Sequence, residues 1–318
     1  MRVILHLLLS IVLPVCAGEL PPFDSAAAKW SPANALVLAE ASALAYDSNA
    51  ADKVKAVLRC DSLETLCCPF DLPKKFKFEE GEPGPQAFIA AGNESIVIAF
   101  RGTEINLVDL LTDAWAQPGK LAAEVPGRVH GGFATTFRTV WPDLKTKLTA
   151  ARSAHPDAKL WITGHSLGGA LAVMAAAQIA IVEKLPVQGV VTCGCPVTGD
   201  AEFHKALDSA LDNRHWRIVL ALDPVALDLS AIDDIPFVSL PEEMKLFRHG
   251  GESVWLNADG TTAGGGARAN TKATVGFIID WAKSREWKPP ADVLERHSMG
   301  DAYLPALRKL YEKNTNTP

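Results

Sequence analysis

A serine flanked by two glycines, Gly164-His165-Ser166-Leu167-Gly168, is the stretch of this 318-residue chain best suited to covalent chemistry. Leu160 to Thr163 before it read as the end of a buried strand, and Leu167 to about Glu183 after it read as an apolar helix. A strand that turns straight into a helix strains the corner residue, and side chains two positions to either side collide unless both are glycine. Ser166 is that corner residue, so its hydroxyl would stand at the carboxyl end of a parallel sheet. The helix that follows would aim the Leu167 amide at a developing oxyanion. Gly169 and Ala170 would let the helix pack closely against the sheet.

A serine hydroxyl needs a histidine to take its proton and a carboxylate to orient that histidine. Such groups sit at the carboxyl ends of strands, and in hydrolases of this layout they follow in the order serine, acid, histidine. Asp223 directly follows the apolar strand Trp216 to Leu222, with Pro224 to end that strand, and is the favoured acid. Asp228, Asp233 and Asp234 lie farther into the loop and read as solvated. Only His249 and His297 follow Asp223. His297 sits at a loop-to-helix junction and is the favoured base; His249, before Gly250-Gly251, is the alternative and reads as a turn residue.

The elements that would position these groups alternate between strand and helix. Ser31 caps a helix running to Tyr46, with Pro32 at its first position. Segments within 50–80 read as possible strands, and Gln86 to Ala90 with Ser95 to Phe100 read as two strands around a turn. Leu107, Leu110 and Leu111 suggest a short helix in 104–116 and residues 118–128 a loop, and Val129 to Phe133 leads into a helix through Trp141 to Ala151 that Pro156-Asp157 breaks. Gly189 to Cys193 reads as a buried strand, Asp200 to Leu211 as a helix, and Phe247-Arg248 with Ser253 to Leu256 as a late pair of strands. Gly260 to Gly266 reads as loop, and Val275 to Arg285 and Met299 to Tyr311 as helices. This alternation implies an α/β fold with a mostly parallel central sheet covered by helices on both faces.

Composition bounds the function. At 48% hydrophobic and 21% charged residues the chain fills a substantial core, and at a net charge of −6 without a basic tract it is not suited to nucleic acid. Residues 1–17 have the form of a signal peptide: Arg2, an apolar run from Val3 to Val15, and small residues at Val15-Cys16-Ala17 for cleavage before Gly18. A lipid-modified Cys16 is the alternative. The run is short for a membrane span, and no other stretch reaches that length without polar residues. Residues 18–318 then form one domain with five cysteines, an odd count that leaves at least one thiol unpaired. Cys60 would pair with Cys67 or Cys68, while Cys193 and Cys195 read as buried thiols, since a bridge between such near neighbours is strained. No histidines stand at zinc-site spacing to these cysteines, so neither a metal nor another cofactor is expected.

Five landmarks in order, Phe100-Arg101-Gly102-Thr103, His130-Gly131-Gly132-Phe133, Gly164 to Ala170, Asp223-Pro224-Val225 and His297-Ser298-Met299, resemble those of the class 3 lipases, a branch of the α/β-hydrolases. The resemblance spans roughly residues 86–310. It implies the α/β-hydrolase fold, Ser166 as nucleophile, Asp223 as orienting acid, His297 as base, and Thr103 with Leu167 as the oxyanion hole. It also makes Asn106 to Ala114 the counterpart of the lipase lid. The expected activity is hydrolysis of a carboxylic ester, with a lipid ester at an oil–water interface as the leading substrate. An esterase for soluble or aromatic acyl esters is the alternative, and a non-catalytic binding protein on the same fold is the remaining one.

Overall fold

A computed structural model describes residues 20–47, 49–66, 87–102, 118–226, 244–263, 274 and 295–315. The expected signal peptide, Cys67 and Cys68, Thr103, the lid counterpart Asn106 to Ala114, and the helix expected over 275–285 lie outside the described residues. So do Asp228, Asp233 and Asp234.

The central sheet has seven strands: β1 (Ser62–Leu66), β2 (Ala87–Ala91), β3 (Ser95–Phe100), β6 (Lys159–His165), β7 (Gly189–Cys193), β9 (His215–Leu220) and β11 (Glu252–Leu256). They lie side by side in that order. The first three are antiparallel neighbours, and every pairing from β3 onward is parallel. Four short segments, β4 (Pro118–Gly119), β5 (Val129–His130), β8 (Gly199–Asp200) and β10 (Phe247–Arg248), form a second, antiparallel sheet.

Alternation along the strands sorts the core into two layers, as the period-two geometry of a strand demands. Ile96, Ile98 and Phe100 face one way, against the helices Gly131–Ala154, Leu167–Ala177 and Ala201–Ala210. Val97 and Ala99 face the other way, against the helices Pro32–Leu44 and Leu304–Thr315. Both faces are therefore covered, as a parallel sheet requires.

Three local expectations are corrected. Ala51–Leu58 is a helix and not a strand: Val54 and Leu58, one helical turn apart, are its buried residues. The helix expected after Phe133 and through Trp141 to Ala151 spans Gly131–Ala154, its first turn capped where the His130 side chain accepts the Phe133 N–H. Pro142 sits inside that helix without ending it. The late strands do not pair with each other: β10 joins β8 in the small sheet, whereas β11 adds to β9 in parallel. Cys193 and Cys195 are buried free thiols as expected, and Cys60 is also free.

Candidate active site

The corner at Ser166 has the conformation the sequence required, with φ 56° and ψ −128°. This left-handed backbone is costly for a non-glycine residue and is kept only where the surroundings enforce it. A methyl group on Gly164 would lie 2.2 Å from the Gly168 carbonyl oxygen, and one on Gly168 would lie 2.4 Å from the Phe100 carbonyl oxygen. Either glycine is irreplaceable without moving backbone. The Ser166 N–H donates to the Cys193 carbonyl of the neighbouring strand at 3.0 Å, which fixes the turn laterally. Leu167 opens the helix, so its N–H has no acceptor within that helix.

Asp223 lies just past β9 and is 1% exposed. Its carboxylate is held from three sides. The Val225 N–H donates to Oδ1 at 2.9 Å, the Tyr303 hydroxyl donates to Oδ2 at 2.6 Å, and His297 Nδ1 lies 2.9 Å from Oδ2 and 3.1 Å from Oδ1. A carboxylate only accepts, so the His297 proton sits on Nδ1 and Nε2 presents its lone pair. That Nε2 is buried and has no hydrogen-bond partner among the described residues, the Ser166 hydroxyl included. The imidazole lies beside the elbow: its ring centroid is 4.7 Å from that of His165, and a methyl group on Gly194 would approach its Cε1 to 3.0 Å.

His297 and not His249 is therefore the histidine brought to Asp223. His249 follows β10 in the small sheet. Thr103 lies outside the described residues, but the chain reaches the serine one residue earlier: a methyl group on Gly102 would lie 3.2 Å from Ser166 Cβ. Among the described residues no cluster of histidine, cysteine and acidic side chains could hold a metal ion.

Sequence reasoning missed Tyr303. It is fully buried, accepts the Leu220 N–H at 3.2 Å, and donates to the Asp223 carboxylate that contacts His297. Burial, reinforced by the adjacent Asp223 charge, raises its pKa well above the ordinary tyrosine value. The hydroxyl stays a donor at any working pH. Tyr303 is one of only three tyrosines, six residues after the expected base; that scarcity was the available signal.

Residues 97–229 match the family model described as Lipase (class 3). Over that span the chain is similar to the class 3 lipases. The matched stretch includes Ser166 and Asp223 and ends before His297. The chain is 30% identical over 177 residues to the secreted mono- and diacylglycerol lipase 1 of Fusarium solani, an overlap of 55% of this chain and 48% of that protein. It is 32% identical over 152 residues to phospholipase A1-II 1 of Oryza sativa subsp. indica, covering 40% of this chain and 37% of that one. The chain spans about half the length of the first curated relatives it matches.

Among solved structures, the propeptide complex of Rhizomucor miehei lipase superposes with a TM-score of 0.55 at 22% identity, over 76% of this chain and 77% of that one. The lipase of Rhizopus microsporus var. chinensis gives 0.52 at 23% identity, over 76% and 81%. The fold is that of the α/β-hydrolases.

Proposed function

We propose that this protein is a class 3 lipase, an exported serine carboxylic-ester hydrolase that cleaves acylglycerol esters through an acyl-enzyme. The observation that carries the reading is the His297–Asp223 contact beside the strained Ser166 corner, because it leaves the bare Nε2 as the buried acceptor for a proton. As substrate binds, Ser166 Oγ attacks the ester carbonyl and Nε2 takes its proton. Hydrogen bonds of this kind are often loose before substrate arrives and tighten in the complex. Asp223 holds the Nδ1–H tautomer and stabilises the imidazolium. The Leu167 N–H and Thr103 bind the tetrahedral oxyanion, and loss of one such donor costs on the order of 3 kcal/mol of activation energy. The imidazolium then protonates the departing alcohol. Water repeats the sequence on the acyl-enzyme and releases the acid.

Export belongs to the same reading, with residues 1–17 removed as a signal peptide and residues 18–318 acting as one domain. It draws support from the secreted Fusarium solani relative. No described helix is long and apolar enough to cross a membrane. The substrate is an acylglycerol met at a lipid–water interface. The Oryza relative favours a phospholipid ester as the second candidate.

The test is fluorophosphonate labelling of the secreted protein, followed by turnover of a short triglyceride above and below its solubility limit. The expected result is one label, on Ser166, and a rise in rate at the interface. A Ser166→Ala protein that turned over p-nitrophenyl esters at the native rate would refute the nucleophile. A phosphatidylcholine vesicle assay run beside the triglyceride separates the two substrate classes, and a rate without any interfacial rise favours the esterase for soluble acyl esters.

A further inference from the structure

His165, the residue before the nucleophile, is 5% exposed and has both ring nitrogens engaged. Its Nε2 lies 2.8 Å from the main-chain carbonyl oxygen of His297. A carbonyl only accepts, so this nitrogen carries the ring proton. The other nitrogen, Nδ1, is then bare and accepts the Tyr46 hydroxyl at 2.9 Å. One direction of donation runs through the chain: Tyr46 to His165, and His165 to the backbone of His297. Burial first, and the neighbouring His297 second, hold the His165 pKa well below the ordinary histidine value. The neutral tautomer this chain requires is therefore the stable one.

The other end of the chain reaches the strand that leads to Thr103. The Arg101 guanidinium carbon lies 5.6 Å from the Tyr46 ring centroid, and the Tyr46 hydroxyl fills the space beside Gly102, 2.1 Å from where a methyl group would stand. Three segments distant in sequence thus meet on two side chains: the end of β3, the Ser166 corner and the turn that carries His297. Asp223 fixes the imidazole by its side chain only. Nothing in that contact sets how far the His297 backbone stands from the elbow.

We propose that Tyr46 and His165 are positioning residues that hold the His297 main chain, and with it the bare Nε2, at working distance from Ser166. The assignment rests on the serine-hydrolase reading above. A histidine that served only to fill space would be replaceable by any side chain of similar volume. A histidine that acts by donating to a carbonyl is replaceable only by another donor of the same reach.

The experiment compares wild type, Ser166→Ala, Tyr46→Phe, His165→Leu, His165→Gln and the double variant Tyr46→Phe/His165→Leu. It measures kcat and KM on p-nitrophenyl butyrate, the fluorophosphonate labelling rate and the melting temperature of each. Displacing a catalytic group by about 1 Å costs on the order of 10²-fold, so His165→Leu should lose roughly that factor in kcat with KM within about twofold. Labelling should slow in parallel. His165→Gln, whose side-chain amide reaches as far as Nε2, should recover most of the loss. Tyr46→Phe keeps the ring and should lose about 10-fold, the size of one neutral hydrogen bond. The double variant should lose less than the product of the two single losses, because the Tyr46 hydroxyl donates to His165 and His165 in turn to His297.

Equal rates for His165→Leu and His165→Gln, or a Tyr46→Phe protein with native kcat, overturn the proposal. Tyr46→Phe decides the matter should His165→Leu fail to fold. An inactive Ser166→Ala protein beside a fully active Tyr46→Phe protein overturns this inference alone. A native rate in Ser166→Ala overturns the hydrolase reading beneath it.

Discussion

At the scale of single residues, the direction of each proton matters more than the number of contacts. Asp223 receives three donors, and each has a different consequence when removed. Asp223→Asn keeps the shape but places an amide N–H where the carboxylate stood. The imidazole then turns its proton to Nε2, and the lone pair needed by Ser166 is lost. On the proposed mechanism kcat falls by on the order of 10⁴-fold, the scale of a tautomer error in a triad, while the melting temperature shifts by only a few degrees. Steady-state kinetics on a p-nitrophenyl ester checks this, and a loss under tenfold would remove Asp223 from the site. Tyr303→Phe acts differently. It strands the Leu220 N–H in the interior and leaves Asp223 Oδ2 with His297 Nδ1 as its remaining donor, so it should cost about 1–3 kcal/mol of stability as well as activity. Denaturant unfolding monitored by tryptophan fluorescence reads the first effect, and an unchanged midpoint would contradict the burial of that hydroxyl.

At the scale of elements, the elbow is where steric exclusion decides. Gly164→Ala puts a methyl group 2.2 Å from a backbone oxygen of the helix it leads into. Neither side chain nor rotamer can yield there, so backbone must move, at a cost of about 1–3 kcal/mol or more. The strained Ser166 moves with it. Gly119→Ala is the matched control, since its nearest contact would be 3.6 Å from the Gly131 Cα. Thermal melts with fluorophosphonate labelling should show Gly164→Ala both less stable and slower to label, with Gly119→Ala close to native in both. Equal behaviour of the two variants would remove the steric reading of the turn.

The elbow was legible in the sequence because it is local: strand, glycine, serine, glycine and helix occupy one continuous window. Asp223 and His297 were legible for a related reason, since each follows the end of a recognisable element in a fixed chain order. Their supports were not. Tyr303 reads as one more apolar position of a terminal helix, and Tyr46 as the last residue of the first helix. What gives each a role is a partner 80 or 119 positions away, which no window contains. The helix at Ala51–Leu58 was hidden because it is only eight residues long and buries just Val54 and Leu58, with the charged Asp52, Lys53 and Lys55 between and before them, leaving little periodicity to read.

At the scale of the whole molecule, the interior carries histidines that folding keeps neutral. His204 is 4% exposed on the helix Ala201–Ala210, with Nε2 3.2 Å from the Thr198 hydroxyl and its ring packed against Gly250. Burial first, and the nearby His215 second, bring its pKa down to about 3 from an ordinary 6.5. His165 is lowered in the same direction. The sign follows from proton counting. Below pH 6.5 the unfolded chain binds protons at these positions and the folded chain does not, so stability falls as pH falls. For His204 the loss runs from about pH 6.5 to about pH 3 and stops where the folded state also takes the proton. Each such histidine contributes a slope of about 1.4 kcal/mol per pH unit across its window. The protein should therefore melt at steadily lower temperature between pH 6.5 and pH 4. His204→Gln, which keeps a polar contact to Thr198 without a titrating ring, should melt lower than native at neutral pH yet lose less on acidification. Calorimetric melts of both proteins across that range check it. Parallel lines for the two would mean that His204 is protonated in the folded protein, and that the polar cluster beneath Gly250-Gly251 carries charge after all.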